Sequence, residues 1–534
     1  MFLLAARRSR AAAQRILPSK AVTATRSMSF LDQIFSYGEK PSAPAVAGSS
    51  GFQLALLGYI SLTMCPVDSL QAILKKDPSF LMGHILVGAS EYLHPRLHSE
   101  SLDAPRRLAT AKSLLDQASA PEKLHVRALD ALVSGRFREA SLIYETLLRE
   151  DCTDLLALKC AFDVYSILGD KRNMLDTISR VLPQLPSSHP GYSHVLALQA
   201  FGLQERGDFA AAESLANRAM SMNDEDAGAF HALLHIYECQ GKHQDGSSVV
   251  MRHQDAWSTF SVLRSHVYIH WIFFLIETGR FDRVLQLLKN EVFVPNELLS
   301  ANVLSDLTQV YWRLRFAGYD TPDILADLDG QWQAVISDVG AVPLTPLAAL
   351  HAHVRGLNPS YLPTTMSQSI TSLARPQEAS LLPVQSASAF TSNAAALEAE
   401  LGTRVLPFSH GLPGQVELDV IATLKDALTA YGKGQYNDVV EKLLAVRGLV
   451  HVVGGSLVEA EMFEILLIDA ARCSSQFDVA RLILNERINV KPQSAQYWKT
   501  YGDILEELHD EEGVDGARRM SYVLGLGQAG TSAA

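Results

Sequence analysis

Gly135, Gly169, Gly207, Gly241 and Gly279 recur at intervals of 34, 38, 34 and 38 residues, each closing one apolar helical segment and opening the next. A period in this range marks a helix-hairpin solenoid. One hairpin leaves apolar surface that only its neighbours in the stack can cover. Glycine suits the turn because a tight helix-to-helix reversal calls for a positive φ that other residues enter only with strain. The expected fold class is therefore all-α, a helix-hairpin solenoid.

The first regular hairpin predicts a helix over Lys123 to Ser134, a turn at Gly135-Arg136-Phe137 and a return helix over Arg138 to Arg149. Ala140, Tyr144 and Leu147 fall on one face of the return helix, at i, i+4 and i+7. The hairpin resembles a tetratricopeptide repeat, in which an apolar residue follows the turn glycine by two positions and a small residue by five. Gly135, Phe137 and Ala140 fit that pattern, as do Gly207, Phe209 and Ala212, and Gly279, Phe281 and Val284 come close. Repeats resume at Gly434, Tyr436 and Val439 and again at Ser475, Phe477 and Ala480. Between the two runs, 375–414 is rich in Pro, Ser and Ala and reads as an insertion. The chain thus divides into a linker over 29–51, a helical-repeat lobe over 52–374, the insertion, a second lobe over 415–526, and a tail over 527–534.

Residues 1–28 carry Arg7, Arg8, Arg10, Arg15, Lys20 and Arg26 with no carboxylate before Asp32, the composition of a mitochondrial transit peptide. The expected location is mitochondrial. Over the whole chain acids exceed bases, 58 to 46, for a formal charge of -12, and no basic stripe is present, so nucleic acid is not the expected partner. The five cysteines are scattered without a C-x-x-C pair, which argues for reduced thiols and against a thiolate zinc site. Apolar runs such as Phe52 to Met64 and Val267 to Ile276 fall short of the roughly 20 residues a membrane span needs. No transmembrane segment is expected.

A tetratricopeptide array turns the first helix of each hairpin toward its concave face. Counting back from the turn glycine as position 15, positions 2, 5, 9 and 12 lie within about 80° of one another, a single stripe. That register places His125, then Lys159 and Asp163, then His194 and Gln204, then His231, His235 and Glu238 in the groove. His266 follows in the fifth repeat, with His270 one turn on and Trp271 beside it. The stripe predicts a groove that takes a partner protein, a peptide or a small molecule.

His231 and His235 at i, i+4, with Glu238 three residues on, present two imidazoles and a carboxylate on one helix face, and His266 and His270 repeat the spacing. Such pairs can converge on a cation about 2 Å from each nitrogen, and a free position there would allow chemistry. Three readings stay open: a divalent metal serving a metal-dependent or acid-base enzyme, a polar ligand groove with no cofactor and no catalytic residue, and histidines packed for structure. The helical zinc-protease pattern is absent, since no glutamate directly follows His231 or His266. Gly454-Gly455-Ser456 reads as an interhelix loop rather than a nucleophile elbow or phosphate loop.

Several separate stretches resemble the tetratricopeptide repeat protein 38 family, over about Leu74 to Pro492. They include Asp77 to His84, Glu122 to Val126, Thr153 to Lys159, His231 to Glu238, His266 to Trp271, Gly454-Gly455-Ser456, Val479-Ala480-Arg481, and Glu486-Arg487 with Lys491-Pro492. In the family's H-x-x-x-H-x-H-E motif, His231, His235 and Glu238 fit while Tyr237 replaces the third histidine. Ile269 stands where the family often has tryptophan, and His353 matches an Ala-His pair further on. The resemblance implies a helical-repeat protein with a histidine-bearing groove and no assigned activity.

Overall fold

A computed structural model describes residues 49–93, 103–260, 263–293, 299, 301–319, 328, 330–332 and 415–526. The transit segment 1–28, the insertion 375–414, the tail 527–534 and His353 lie outside the described residues. The described residues are helical with no strand, and by their contacts they belong to one compact unit, Ala45–Ala534. The two expected lobes are not separated by that division.

Sixteen helices precede the long undescribed stretch, among the described residues: α1 Ser49–Ile60, α2 Pro66–Lys76, α3 Leu81–Leu93, α4 Ala104–Ser113, α5 Ala120–Val133, α6 Phe137–Glu150, α7 Leu155–Ile167, α8 Lys171–Val181, α9 Tyr192–Glu205, α10 Phe209–Met222, α11 Ala227–Cys239, α12 His243–Arg252, α13 Gln254–Trp257, α14 Arg264–Glu277, α15 Phe281–Leu287 and α16 Ala301–Phe316. After it come α17 Gln415–Gly432, α18 Tyr436–Val446, α19 Leu457–Cys473, α20 Phe477–Val490, α21 Ala495–Glu507 and α22 Glu511–Ser521. The first helix starts at Ser49, three residues before the expected start of the helical lobe at residue 52. Serine and glycine there are carried into the helix by the apolar run that follows.

Local chemistry sets the boundaries. Asp154, Asp170, Asp208 and Asp226 each accept a hydrogen bond from a backbone N–H three residues on, capping α7, α8, α10 and α11. Ser119 and Ser456 form capping boxes with Glu122 and Glu459. Pro66 opens α2, where a missing N–H costs nothing. All five turn glycines of the opening period have φ between 66° and 83°. Ser475 takes the same conformation at φ 58°, with the strain a side chain adds there.

First and second helices of the hairpins differ in how they are covered. In α8 only Met174, Leu175, Thr177, Ile178 and Val181 are buried, one stripe of an amphipathic helix. Every residue of α7 from Leu155 to Tyr165 is buried, and α14 is buried from Val267 to Ile276. A helix apolar on all sides must be covered on all sides. Here the cover comes from α1 and α3 against α7, and from α19 against α11 and α16. Tyr59 donates to Asp163 at 3.0 Å, the Gly228 amide donates to the Ser61 carbonyl at 3.0 Å, and the Leu457 amide donates to the Glu205 carboxylate at 3.1 and 3.2 Å.

A candidate metal centre

That cover changes the setting of the expected stripe. His125, Lys159, Asp163, His194, Gln204, His235, Glu238, His270 and Trp271 are all buried, while His231 and His266 keep partial exposure. Most of them are engaged within the fold. His125 Nε2 sits 2.7 Å from the Asp154 carboxylate and His194 Nδ1 2.5 Å from that of Asp226, so each imidazole meets the aspartate that caps the next first helix. Lys159 donates to both oxygens of Asp163 at 2.5 and 2.6 Å. Gln204 donates to Glu205 at 3.0 Å. Trp271, turned by about 100° from His270, packs against Tyr268 beneath the Arg283 guanidinium.

His231, His235, His266 and His270 behave differently. One ring nitrogen from each lies within 4.8 Å of all the others, so the two i, i+4 pairs of α11 and α14 close on a common point. His231 Nε2 and His235 Nε2 are 2.9 Å apart, and His266 Nε2 and His270 Nε2 are 3.2 Å apart. For ligands about 2.0–2.1 Å from a tetrahedral zinc ion, nitrogens stand roughly 3.3 Å apart. Phe201 stacks on His231 with ring centroids 5.6 Å apart, closing one side.

The far nitrogens of the α14 pair are held. His270 Nδ1 lies 3.1 Å from Glu238 Oε2, and His266 Nδ1 lies 2.7 Å from Asp306 Oδ2. Burial pushes the Glu238 carboxyl up, but the His270 hydrogen bond and the Arg313 charge outweigh it and hold the group below the usual carboxylate range. An ionised carboxylate only accepts, so Nδ1 of His270 carries a proton toward Glu238, while His266 Nδ1 faces Asp306 at hydrogen-bond distance. The two Nε2 atoms then face each other across 3.2 Å. Two ring nitrogens so placed are bridged by a shared proton or by a metal ion. Burial first, and then His231, His270 and His266, push His235 well below its usual range, which disfavours the proton there. His235 Nδ1 is buried with no hydrogen-bond partner, so its ring gains nothing else from the site.

The donor set suits zinc, copper, iron or nickel, which accept imidazole readily. Carboxylates behind the imidazoles of His266 and His270 fix tautomer and ring orientation, as partners of metal-bound histidines commonly do. Glu238, expected from the sequence as a third ligand on its own helix, instead stands behind His270. Its side chain is committed to His270 and Arg313, which donates to Oε1 at 3.2 Å.

Asp306 and Arg313 were not expected. They sit on α16, seven residues apart and so two turns along one face. An acid and a base so placed among the apolar residues of the segment Val303 to Leu314 were the available signal. A scan of the chain against protein-family models finds no match.

Proposed function

We propose that this is a tetratricopeptide-like solenoid of the tetratricopeptide repeat protein 38 type whose inner helices hold one divalent first-row transition ion, zinc by preference, between His231, His235, His266 and His270. The observation that carries the reading is the convergence of four imidazole nitrogens within 4.8 Å of one another, with both Nδ1 atoms of His266 and His270 held by carboxylates. Four protein nitrogens fill a tetrahedral shell, and closed shells of this kind serve structure, whereas hydrolytic zinc keeps a position open. A scaffold is therefore favoured over a metal-dependent enzyme. Capture of a peptide, partner protein or small ligand along the stripe would require the covering helices α1 and α19 to lift, because Lys159, Asp163 and Gln204 are buried and internally bonded.

Elemental analysis of the purified chain tests the proposal. The expected result is about one zinc, copper, iron or nickel per chain, lost in His235→Ala and His270→Ala. Cobalt loaded into metal-free protein should give the visible absorption of a tetrahedral site. Protein that neither carries a metal nor binds zinc or cobalt on titration would overturn the reading.

A further inference from the structure

Arg313 joins the candidate metal site to the C-terminal repeats. Its Nη2 donates to Glu238 Oε1 at 3.2 Å and to the Val458 carbonyl at 3.2 Å, while the guanidinium lies 4.3 Å from the centroid of the Phe273 ring. Glu238 uses its other oxygen to accept from His270 Nδ1. Val458 is in the first turn of α19, one residue after the Leu457 amide that donates to Glu205. A continuous chain of contacts thus runs from an imidazole that faces the metal position to the helix that covers the inner face.

We propose that Arg313 is a positioning residue for the metal, holding Glu238 and through it His270 in the ligating orientation only while α19 is docked, so that metal occupancy and docking of the C-terminal repeats reinforce each other. The inference rests on the metal reading above. Three features carry it. Glu238 is 1% exposed and Arg313 7% exposed, so water cannot substitute for either partner. Arg313 Nε is buried without an acceptor, so the guanidinium is oriented by Glu238, the Phe273 ring and the Val458 carbonyl, and the last of these belongs to α19. Glu238 presents one oxygen to each neighbour, so a shift of the guanidinium moves the oxygen that orients His270. Reciprocity follows from thermodynamics: whatever docking does for metal affinity, metal does for docking.

The test uses the full chain. Hydrogen exchange across 457–473 is followed in metal-free and zinc-loaded protein, and zinc affinity is measured by competition with a chromophoric chelator. Zinc is expected to slow exchange in α19 of the wild type. Arg313→Lys keeps the charge but replaces the planar fork with a point donor. It should still give the tetrahedral cobalt spectrum, bind zinc about 10–100-fold more weakly, and lose the effect of zinc on α19. Wild-type protein that takes up one zinc with no change in α19 exchange would overturn the relay and leave the metal site standing, as would unchanged zinc affinity in Arg313→Lys. Wild-type protein that binds no metal overturns both. The wild-type exchange comparison decides the matter even if the variant does not fold.

Discussion

His125, His194, His231, His235, His266 and His270 share an inner face, yet they divide by what stands behind them. His125 and His194 each pair with a carboxylate that also caps a helix, and their rings serve the joint between neighbouring hairpins. Replacing His125 by alanine leaves Asp154 without that partner and should cost about 1–3 kcal/mol in urea unfolding. Metal content should stay at the wild-type value, and its loss in His125→Ala would blur the division. Glu238 is the opposite case. Glu238→Ala strands the buried Arg313 guanidinium as well as His270, and removal of one member of a buried ion pair typically costs about 3–5 kcal/mol. Glu238→Gln keeps an acceptor and should cost distinctly less in the same unfolding measurement. Equal losses for the two variants would mean that the carboxylate's charge, rather than its hydrogen bonds, is what the site uses.

At the scale of the helical elements, the turn glycines share one conformation and differ in surroundings. Gly207 has φ 83° and open space where a Cβ would go, so Gly207→Ala meets only backbone strain of about 1–2 kcal/mol. Gly169 has φ 66°, and a Cβ there would collide with the His451 carbonyl oxygen just before α19, while one on Gly454 would stand 2.5 Å from the Ile167 carbonyl oxygen. Gly169→Ala should therefore lower the urea midpoint well beyond Gly207→Ala and speed exchange in α19. Matching midpoints would show that the turn at Gly169 is only a turn. The same contrast marks what was legible in the sequence. The hairpins are encoded locally by turn glycines, capping aspartates and apolar period, and the ends of the helix at Ala120–Val133 fall within three residues of expectation. Convergence of His231, His235, His266 and His270 followed from that register. Covering of the stripe did not, because the contacts responsible join residues 104, 145 and 252 apart and leave no period in the chain. A trace of it was present in α7 and α14, whose apolar residues run all round the helix and so require two covered faces. Gly454-Gly455-Ser456 was legible as a loop, but its close packing on the turn at Gly169 was not.

For the molecule as a whole, α19 to α21 are tied to one another through buried charge on Glu461, and to the earlier hairpins through separate polar contacts. Glu461 accepts from Arg487 and Tyr497 at 3.0 and 2.6 Å and pairs with Lys491, while Ser494 donates to Glu277 at 2.7 Å and Gln496 to the Ile276 carbonyl at 3.0 Å. Burial alone would push the Glu461 carboxyl up. Lys491, Arg487 and Arg313 outweigh that and hold it far below the usual carboxylate range. A carboxylate depressed in the folded state stabilises fully above its unfolded value, about pH 4.3, and loses that contribution as the pH falls below it. Glu205 works the other way: burial raises it more than Lys171 lowers it, so its contribution weakens as the pH rises through the unfolded value. Because three cations converge on Glu461, its term should set the acid limb. Urea unfolding of the wild type is expected to lose stability steeply below about pH 4, with α19 to α21 exchanging before the hairpins of α5 to α12. Glu461→Gln removes the titrating group while leaving Lys491 and Arg487 short of a counter-charge. It should be less stable than the wild type at pH 7 and lose less stability from pH 5 down to pH 3, so that the two curves approach each other in acid. An acid limb as steep in Glu461→Gln as in the wild type would place the acid-sensitive fastening elsewhere.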